Sequence, residues 1–233
     1  MNHHRPSKLR ARRLHPYGLV RRLCQSATAS LLVASAAPAF AATTIAAFGD
    51  SLSAGYQLPA DAAFPAVLEA ALRRDGYDVT VSNAAVSGDT TQGGLERLDW
   101  SVPDGTDLAI VELGANDMLR GVDTAVTAKN LGDIVAGLQK RHIKVLLAGM
   151  YAATELDGGY RERFAAIYPS LARRDGVPLY PFFLAGIIGH PELHLPDGLH
   201  PNAAGVKVIV DNILPTVEET LRGMGVKPSG VKG

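Results

Sequence analysis

Thr43-Thr44-Ile45-Ala46-Ala47-Phe48 runs straight into Gly49-Asp50-Ser51. Six residues, apolar after the first two, are too few for a helix and suit a strand buried on both faces. The glycine that ends the run breaks the strand, and the aspartate and serine behind it begin a loop. Working outward, the same figure recurs. Residues 78–82 (DVTVS) alternate like a strand, and residues 107–113 (DLAIVEL), 144–150 (KVLLAGM) and 177–180 (VPLY) are short apolar runs. Between them lie segments with apolar residues at helical spacing. Residues 61–74 carry Phe64, Val67, Leu68, Ala71 and Leu72, and residues 124–141 carry Val126, Leu131, Ile134, Val135 and Leu138. Residues 90–100 and 160–173 are expected to be helical as well. Residues 203–221 close the series with Val206, Ile209, Val210, Ile213 and Leu214 facing inward. Strands that are apolar along their length and alternate with helices predict an α/β fold, a parallel sheet of five strands covered on both faces. Such a sheet places its site at the carboxyl ends of the strands, near a reversal of strand order.

Charge is divided unevenly along the chain. Seven of the 23 basic residues precede Ala42 and none of the 23 acidic ones do, so the remainder holds 16 basic against 23 acidic residues, a net of −7. An acidic body without a basic stretch argues against nucleic acid as a partner. The first 41 residues read as an export signal. A basic stretch ends at Arg22, a mildly apolar segment follows around Leu31, Leu32 and Val33, and Ala39-Phe40-Ala41 is the small-x-small pattern cut by a signal peptidase. Cleavage is expected between Ala41 and Ala42, giving a periplasmic or secreted protein. Arg21-Arg22 raises the twin-arginine route, which the flanking residues fit poorly. The apolar segment is too short and too rich in Ser and Thr for stable membrane insertion. Cys24 is the only cysteine, so the mature chain would have neither a disulfide nor a thiol nucleophile. Residues 42–225 are expected to form one domain and 226–233 a frayed tail. Nothing in the pattern demands an oligomer, and a monomer is the expectation.

Four polar clusters follow strand ends or precede the last helix: Gly49-Asp50-Ser51-Leu52, Ser87-Gly88-Asp89-Thr90, Gly114-Ala115-Asn116-Asp117 and Asp197-Gly198-Leu199-His200-Pro201-Asn202. Acyl transfer needs a nucleophile, a base, a group that orients the base, and donors for the developing oxyanion. Ser51 can serve as nucleophile. His200 is the natural base, since imidazole titrates near ~6.5. Asp197, one turn-like step earlier, can hold the imidazole in one tautomer and stabilise its cation. The Ser51 and Gly88 backbone N–H groups and the Asn116 side-chain amide are the candidate oxyanion donors. Gly88 has no Cβ to obstruct a substrate.

Taken in order, the clusters resemble the four blocks of the GDSL (SGNH) serine hydrolases. Val111-Glu112-Leu113-Gly114-Ala115-Asn116-Asp117, Ala166-Ile167-Tyr168-Pro169 and Pro181-Phe182-Phe183 are similar to the bacterial thioesterase I, lysophospholipase and arylesterase branch. The resemblance implies a flavodoxin-like three-layer α/β/α fold. It implies hydrolysis of small acyl esters and thioesters through an acyl-enzyme on Ser51, with no cofactor and no metal. Residues 154–160 and 184–195 match less well and would shape the substrate pocket, with the apolar run 182–188 as a wall for an acyl chain.

Plainer readings exist for each residue. Ser51, Asn116 and Asp197 could be caps, Gly88 a turn residue, Asp50 a group bonding loop amides, and Asp117 a cap or loop organiser. Trp100, Tyr168, Phe182 and Phe183 are expected in the core or the pocket wall. His142, His190 and His194 lack an acidic partner in the register of Asp197 and His200 and are expected at the surface. Two other functions remain open: a deacetylase of acetylated sugars by the same serine chemistry, and a metal-dependent phosphoesterase using Asp50, Asp89, Asn116, Asp117 and His200. A non-catalytic binding module is disfavoured because all four functional positions are filled.

Overall fold

Five parallel strands lie side by side in a computed structural model that describes Met1 and residues 42–153 and 156–229. In chain order they are β1 (Thr43–Gly49), β2 (Val79–Asn83), β3 (Leu108–Glu112), β4 (Lys144–Ala148) and β5 (Leu179–Tyr180). Across the sheet the order is β2-β1-β3-β4-β5. The chain moves outward from β1 to β2, then returns past β1 to β3, so the reversal falls between β1 and β3. Register is set by pairs such as Ile45 with Val81 on one side and Ile45 with Leu108 on the other. The central strands are buried residue after residue, Ile45 through Phe48 and Leu108 through Val111. Burying each Ile, Leu, Val or Phe among them contributes about 1.5–3 kcal/mol. At the sheet's edge β2 instead alternates buried and exposed positions, as its sequence does.

The helices are α1 (Ser51–Ala54), α2 (Phe64–Arg74), α3 (Thr91–Ser101), α4 (Ala115–Leu119), α5 (Thr124–Lys140), α6 (Gly158–Asp175) and α7 (Ala203–Gly223). One layer pairs α2 with α7; the other packs α5 between α3 and α6. Their starts are written locally. Side chains of Asp50, Thr90, Asp123, Asp157 and Asn202 each accept a backbone N–H at the first turn of α1, α3, α5, α6 and α7. Helix α2 begins three residues later than its apolar stripe predicts, because residues 60–62 form a separate 3₁₀ turn before Pro65 enters the first turn.

Two expectations are corrected. Trp100 is 73% exposed on the last turn of α3, so it is neither core nor pocket wall. Only two residues of the run 177–180 join the sheet. Of the expected tail, Val226 packs on the core and the Ser229 N–H donates to Gly76 O at 2.6 Å, while residues 230–233 lie outside the described residues. The proposed export signal, residues 1–41, falls outside the described residues apart from Met1. Among the described residues no helix is long and apolar enough to cross a membrane.

Candidate active site

Ser51 is the first residue of α1, and the four-residue helix is too short to carry it away from the end of β1. Asp50 caps the helix through Oδ1, which accepts the Leu52 N–H at 3.0 Å. From the far end of the chain, His200 sits in the turn before α7. That turn is clamped from several sides. The Leu195 N–H donates to His200 O at 2.8 Å, and Asn202 Nδ2 donates to the carbonyls of Glu192 and His194 at 2.8 and 3.1 Å. Ser51 Oγ and His200 Nε2 thus meet at 2.9 Å across 149 residues of sequence.

Asp197 governs the other side of the ring. Its Oδ1 accepts the backbone N–H groups of Leu199 and His200 at 2.9 and 3.0 Å, and its Oδ2 accepts from His200 Nδ1 at 2.7 Å. Those bonds, the His200 backbone N–H foremost, then that of Leu199, lower its carboxyl to about 2. A carboxylate can only accept, so Nδ1 carries the proton of the neutral ring and Nε2 is left as an acceptor facing the serine hydroxyl. Tyr56 covers the imidazole, the two ring centres 4.4 Å apart.

Gly88 and Asn116 stand at the ends of β2 and β3, on either side of β1. Gly88 adopts φ +85°, a left-handed conformation that favours glycine, and its carbonyl accepts from Arg120 Nη2 at 2.6 Å. Val86 N–H donates to Gly49 O at 3.0 Å, which fastens the Gly88 loop to the end of β1. Among the described residues, neither the Ser51 nor the Gly88 N–H donates to a protein acceptor. Asn116 does not cap α4, whose cap is Gly114. Gly114 has φ +121°, and a Cβ there would collide with Tyr168 Oη. The Asn116 amide instead donates through Nδ2 to Asp50 Oδ2 at 3.0 Å, which places it beside the Ser51 loop.

Sequence reasoning missed two residues beneath this surface. Arg97 is buried in α3 and spends its guanidinium on Gly49 O at 2.8 Å, Ala84 O at 2.6 Å and Asp89 Oδ2 at 2.5 Å, with Phe48 stacked below. It ties the strand before Ser51 to the loop that carries Gly88. Glu112, fully buried at the end of β3, accepts from Ser53 Oγ at 2.8 Å and from Asp50 N at 3.4 Å, while its Oε1 has no hydrogen-bond partner among the described residues. Burial, then the neighbouring Asp50, push Glu112 well above the usual carboxyl range. Burial likewise raises Asp50 to about 6, against the Leu52 N–H and the Asn116 amide, which favour its ionised form.

A carboxyl raised on folding adds stability that is complete below its unfolded value, near 3.8 for Asp50, and is lost as pH climbs through about 6. Subtracting an Asp50→Asn variant removes the contribution of other carboxylates. The stability difference between wild type and variant, from urea melts, is expected to shift against the wild type by about 2 kcal/mol between pH 4 and pH 7. A pH-independent difference would show that Asp50 does not titrate in this window.

The carboxylates of a supposed metal site are otherwise occupied. Asp89 pairs with Arg97, and Asp117, buried, accepts from Thr91 N at 2.7 Å and from the hydroxyls of Thr91 and Thr127. Among the described residues no three His, Cys, Asp or Glu side chains are grouped to hold a metal ion. Asp117 thus organises loops between α3, α4 and α5. Phe183 and Tyr168 are core residues, and half-buried Phe182 stacks on exposed Tyr151. A cavity of about 790 Å³ between His142, Val177, Thr216 and Met224 lies at the amino ends of β4 and β5 and includes none of the site's groups.

Known proteins resemble this chain in sequence and fold. Residues 47–208 match the GDSL-like Lipase/Acylhydrolase family. An arylesterase of Vibrio mimicus is 43% identical over 154 residues, 66% of this chain and 77% of that protein. The esterase TesA of Pseudomonas aeruginosa is 36% identical over 182 residues, 78% of this chain and 90% of that protein. The crystal structure of AlinE4, an SGNH-hydrolase family esterase, is 45% identical and superimposes with a TM-score of 0.65 over 77% of this chain and 97% of its own. The family match spans most of the chain and takes in the strand-end clusters of Ser51, Gly88 and Asn116, and His200 meets Ser51: the chain belongs to the GDSL-like lipase/acylhydrolase family.

Proposed function

We propose that this protein hydrolyses acyl esters and thioesters through an acyl-enzyme on Ser51. The observation that carries the reading is the continuous path from Ser51 Oγ to His200 Nε2 at 2.9 Å and from His200 Nδ1 to Asp197 Oδ2 at 2.7 Å. Ser51 Oγ attacks the acyl carbon as His200 takes its proton. The carbonyl oxygen becomes an anion facing the Ser51 N–H, the Gly88 N–H and the Asn116 amide. The tetrahedral species collapses with His200 returning the proton to the departing alcohol or thiol. Water, deprotonated by the same imidazole, then attacks the acyl-enzyme and releases the acid and free Ser51.

Apolar side chains favour an acyl chain over a sugar. Tyr56, Leu119, Tyr151, Ile188 and Leu199 are all exposed, each on a segment that follows a strand end or adjoins His200. The relatives named arylesterase and esterase support the same class of reaction. The N-terminal 41 residues support export, with cleavage between Ala41 and Ala42 and a periplasmic or secreted mature enzyme.

A series of p-nitrophenyl esters from acetyl to palmitoyl, with acyl-CoA alongside, tests the reading. Turnover is expected, with kcat/KM higher for octanoyl than for acetyl, and labelling by a fluorophosphonate should stop it. Absence of hydrolysis at every chain length overturns the proposal, and a strong preference for acetyl moves the substrate to acetylated sugars.

A further inference from the structure

Asp50 does more than cap α1. Oδ1 serves the Leu52 N–H, but Oδ2 reaches across to β3 and accepts from Asn116 Nδ2 at 3.0 Å. That second bond caps nothing. It crosses from the nucleophile's loop to the amide that faces it, inside a part of the site where Asp50 is wholly buried.

An asparagine amide presents two different ends, and half a turn about its last bond exchanges donor for acceptor. Only the NH₂ end can stabilise an oxyanion; the carbonyl end would repel it. A carboxylate beside the amide resolves the choice, because it accepts and cannot donate. We infer that Asp50 is a positioning residue for hydrolysis: by accepting one N–H of Asn116, it holds the amide so that the second N–H is presented to the oxyanion. The inference rests on the proposed role of Asn116.

Glu112 completes the device. It lies against the Asp50 backbone N–H, is equally buried, and leaves Oε1 without a hydrogen-bond partner among the described residues. Two adjacent buried carboxyl groups do not readily ionise together. Burial and the neighbouring Asp50 favour the protonated form of Glu112, so the pair carries one negative charge more readily than two. The cost of a negative charge near the oxyanion is offset by the imidazolium that His200 becomes in the same step.

Asp50→Ser separates capping from positioning. Serine is a good N-cap and keeps an oxygen for the Leu52 N–H, but is too short to reach Asn116. If Asp50 positions Asn116, kcat of Asp50→Ser should fall roughly 10- to 100-fold with KM changed less than about threefold. Asn116→Ala alone should lose roughly 10²- to 10³-fold, and adding Asp50→Ser to it should cost less than about twofold more. Wild-type kcat in Asp50→Ser, or losses that multiply in the double variant, overturn the inference. Should Asp50→Ser lose its cooperative melt, Asp50→Asn runs the same cycle. The wild type offers a check independent of either variant: one Asn116 side-chain N–H, assigned in ¹⁵N NMR by its loss in Asn116→Ala, should resist solvent exchange. Rapid exchange of both N–H groups overturns the inference. Ser51→Ala in the same assay keeps the two readings apart, since full activity there would defeat the serine mechanism itself, whatever the cycle shows.

Discussion

Ser51→Ala is expected to lower kcat for p-nitrophenyl ester hydrolysis by roughly 10³-fold or more, while the melting transition stays close to that of wild type. The size follows from what remains. Without Oγ no acyl-enzyme can form, and water must attack directly, with His200 placed for a group that is gone. The Gly88 N–H, the Ser51 N–H and the Asn116 amide still stand at their strand ends, so residual hydrolysis above the uncatalysed rate should persist. Stability should hold because, among the described residues, the lost hydroxyl hydrogen-bonds the His200 ring alone, and α1 keeps its Asp50 cap. Activity near the wild-type level would remove Ser51 as nucleophile.

The second large effect is expected from Asp197→Asn, a loss of roughly 10³- to 10⁴-fold in kcat. Asp197 supplies two acceptor oxygens: one takes the Leu199 and His200 backbone N–H groups, the other takes His200 Nδ1–H. Asparagine has one. If its carbonyl stays with the two backbone donors, its NH₂ faces Nδ1 and makes that nitrogen the acceptor. The ring proton then moves to Nε2, where it points at Ser51 Oγ and blocks proton transfer. The turn is preserved and the tautomer is wrong. Steady-state kinetics checks the loss, and ¹⁵N chemical shifts of the imidazole check its cause. A variant that keeps the Nδ1–H tautomer and yet loses activity would assign Asp197 a purely electrostatic part.

What could be read from the chain divides along a physical line. Strands and helices follow from local periodicity, and the run ending at Phe48 looks buried because every side chain beyond its first two residues is apolar. Ser51, Gly88, Asn116 and His200 could be picked out because strand ends in such a sheet converge. The buried polar scaffold was not legible in the same way. Arg97 looks like any surface arginine on an amphipathic helix, since its partners are mainly backbone carbonyls, and those leave no trace in residue type. Glu112 did leave a trace: it is an acid inside DLAIVEL, where every neighbour from Leu108 to Leu113 is apolar. Trp100 was misplaced because a large ring in a helical stripe is usually inward, but α3 presents its last turn to solvent.

The 149-residue span between Ser51 and His200 has a bearing on when the enzyme can work. On the proposed mechanism the nucleophile is made early and its base almost last, on the threshold of the terminal helix. A chain still emerging from the ribosome then holds a serine with nothing to activate it. On that mechanism hydrolysis requires α7 to be docked against α2, because His200 lies in the turn that leads into it. Return of esterase activity after dilution from denaturant should therefore lag behind the recovery of secondary structure and coincide with that final docking.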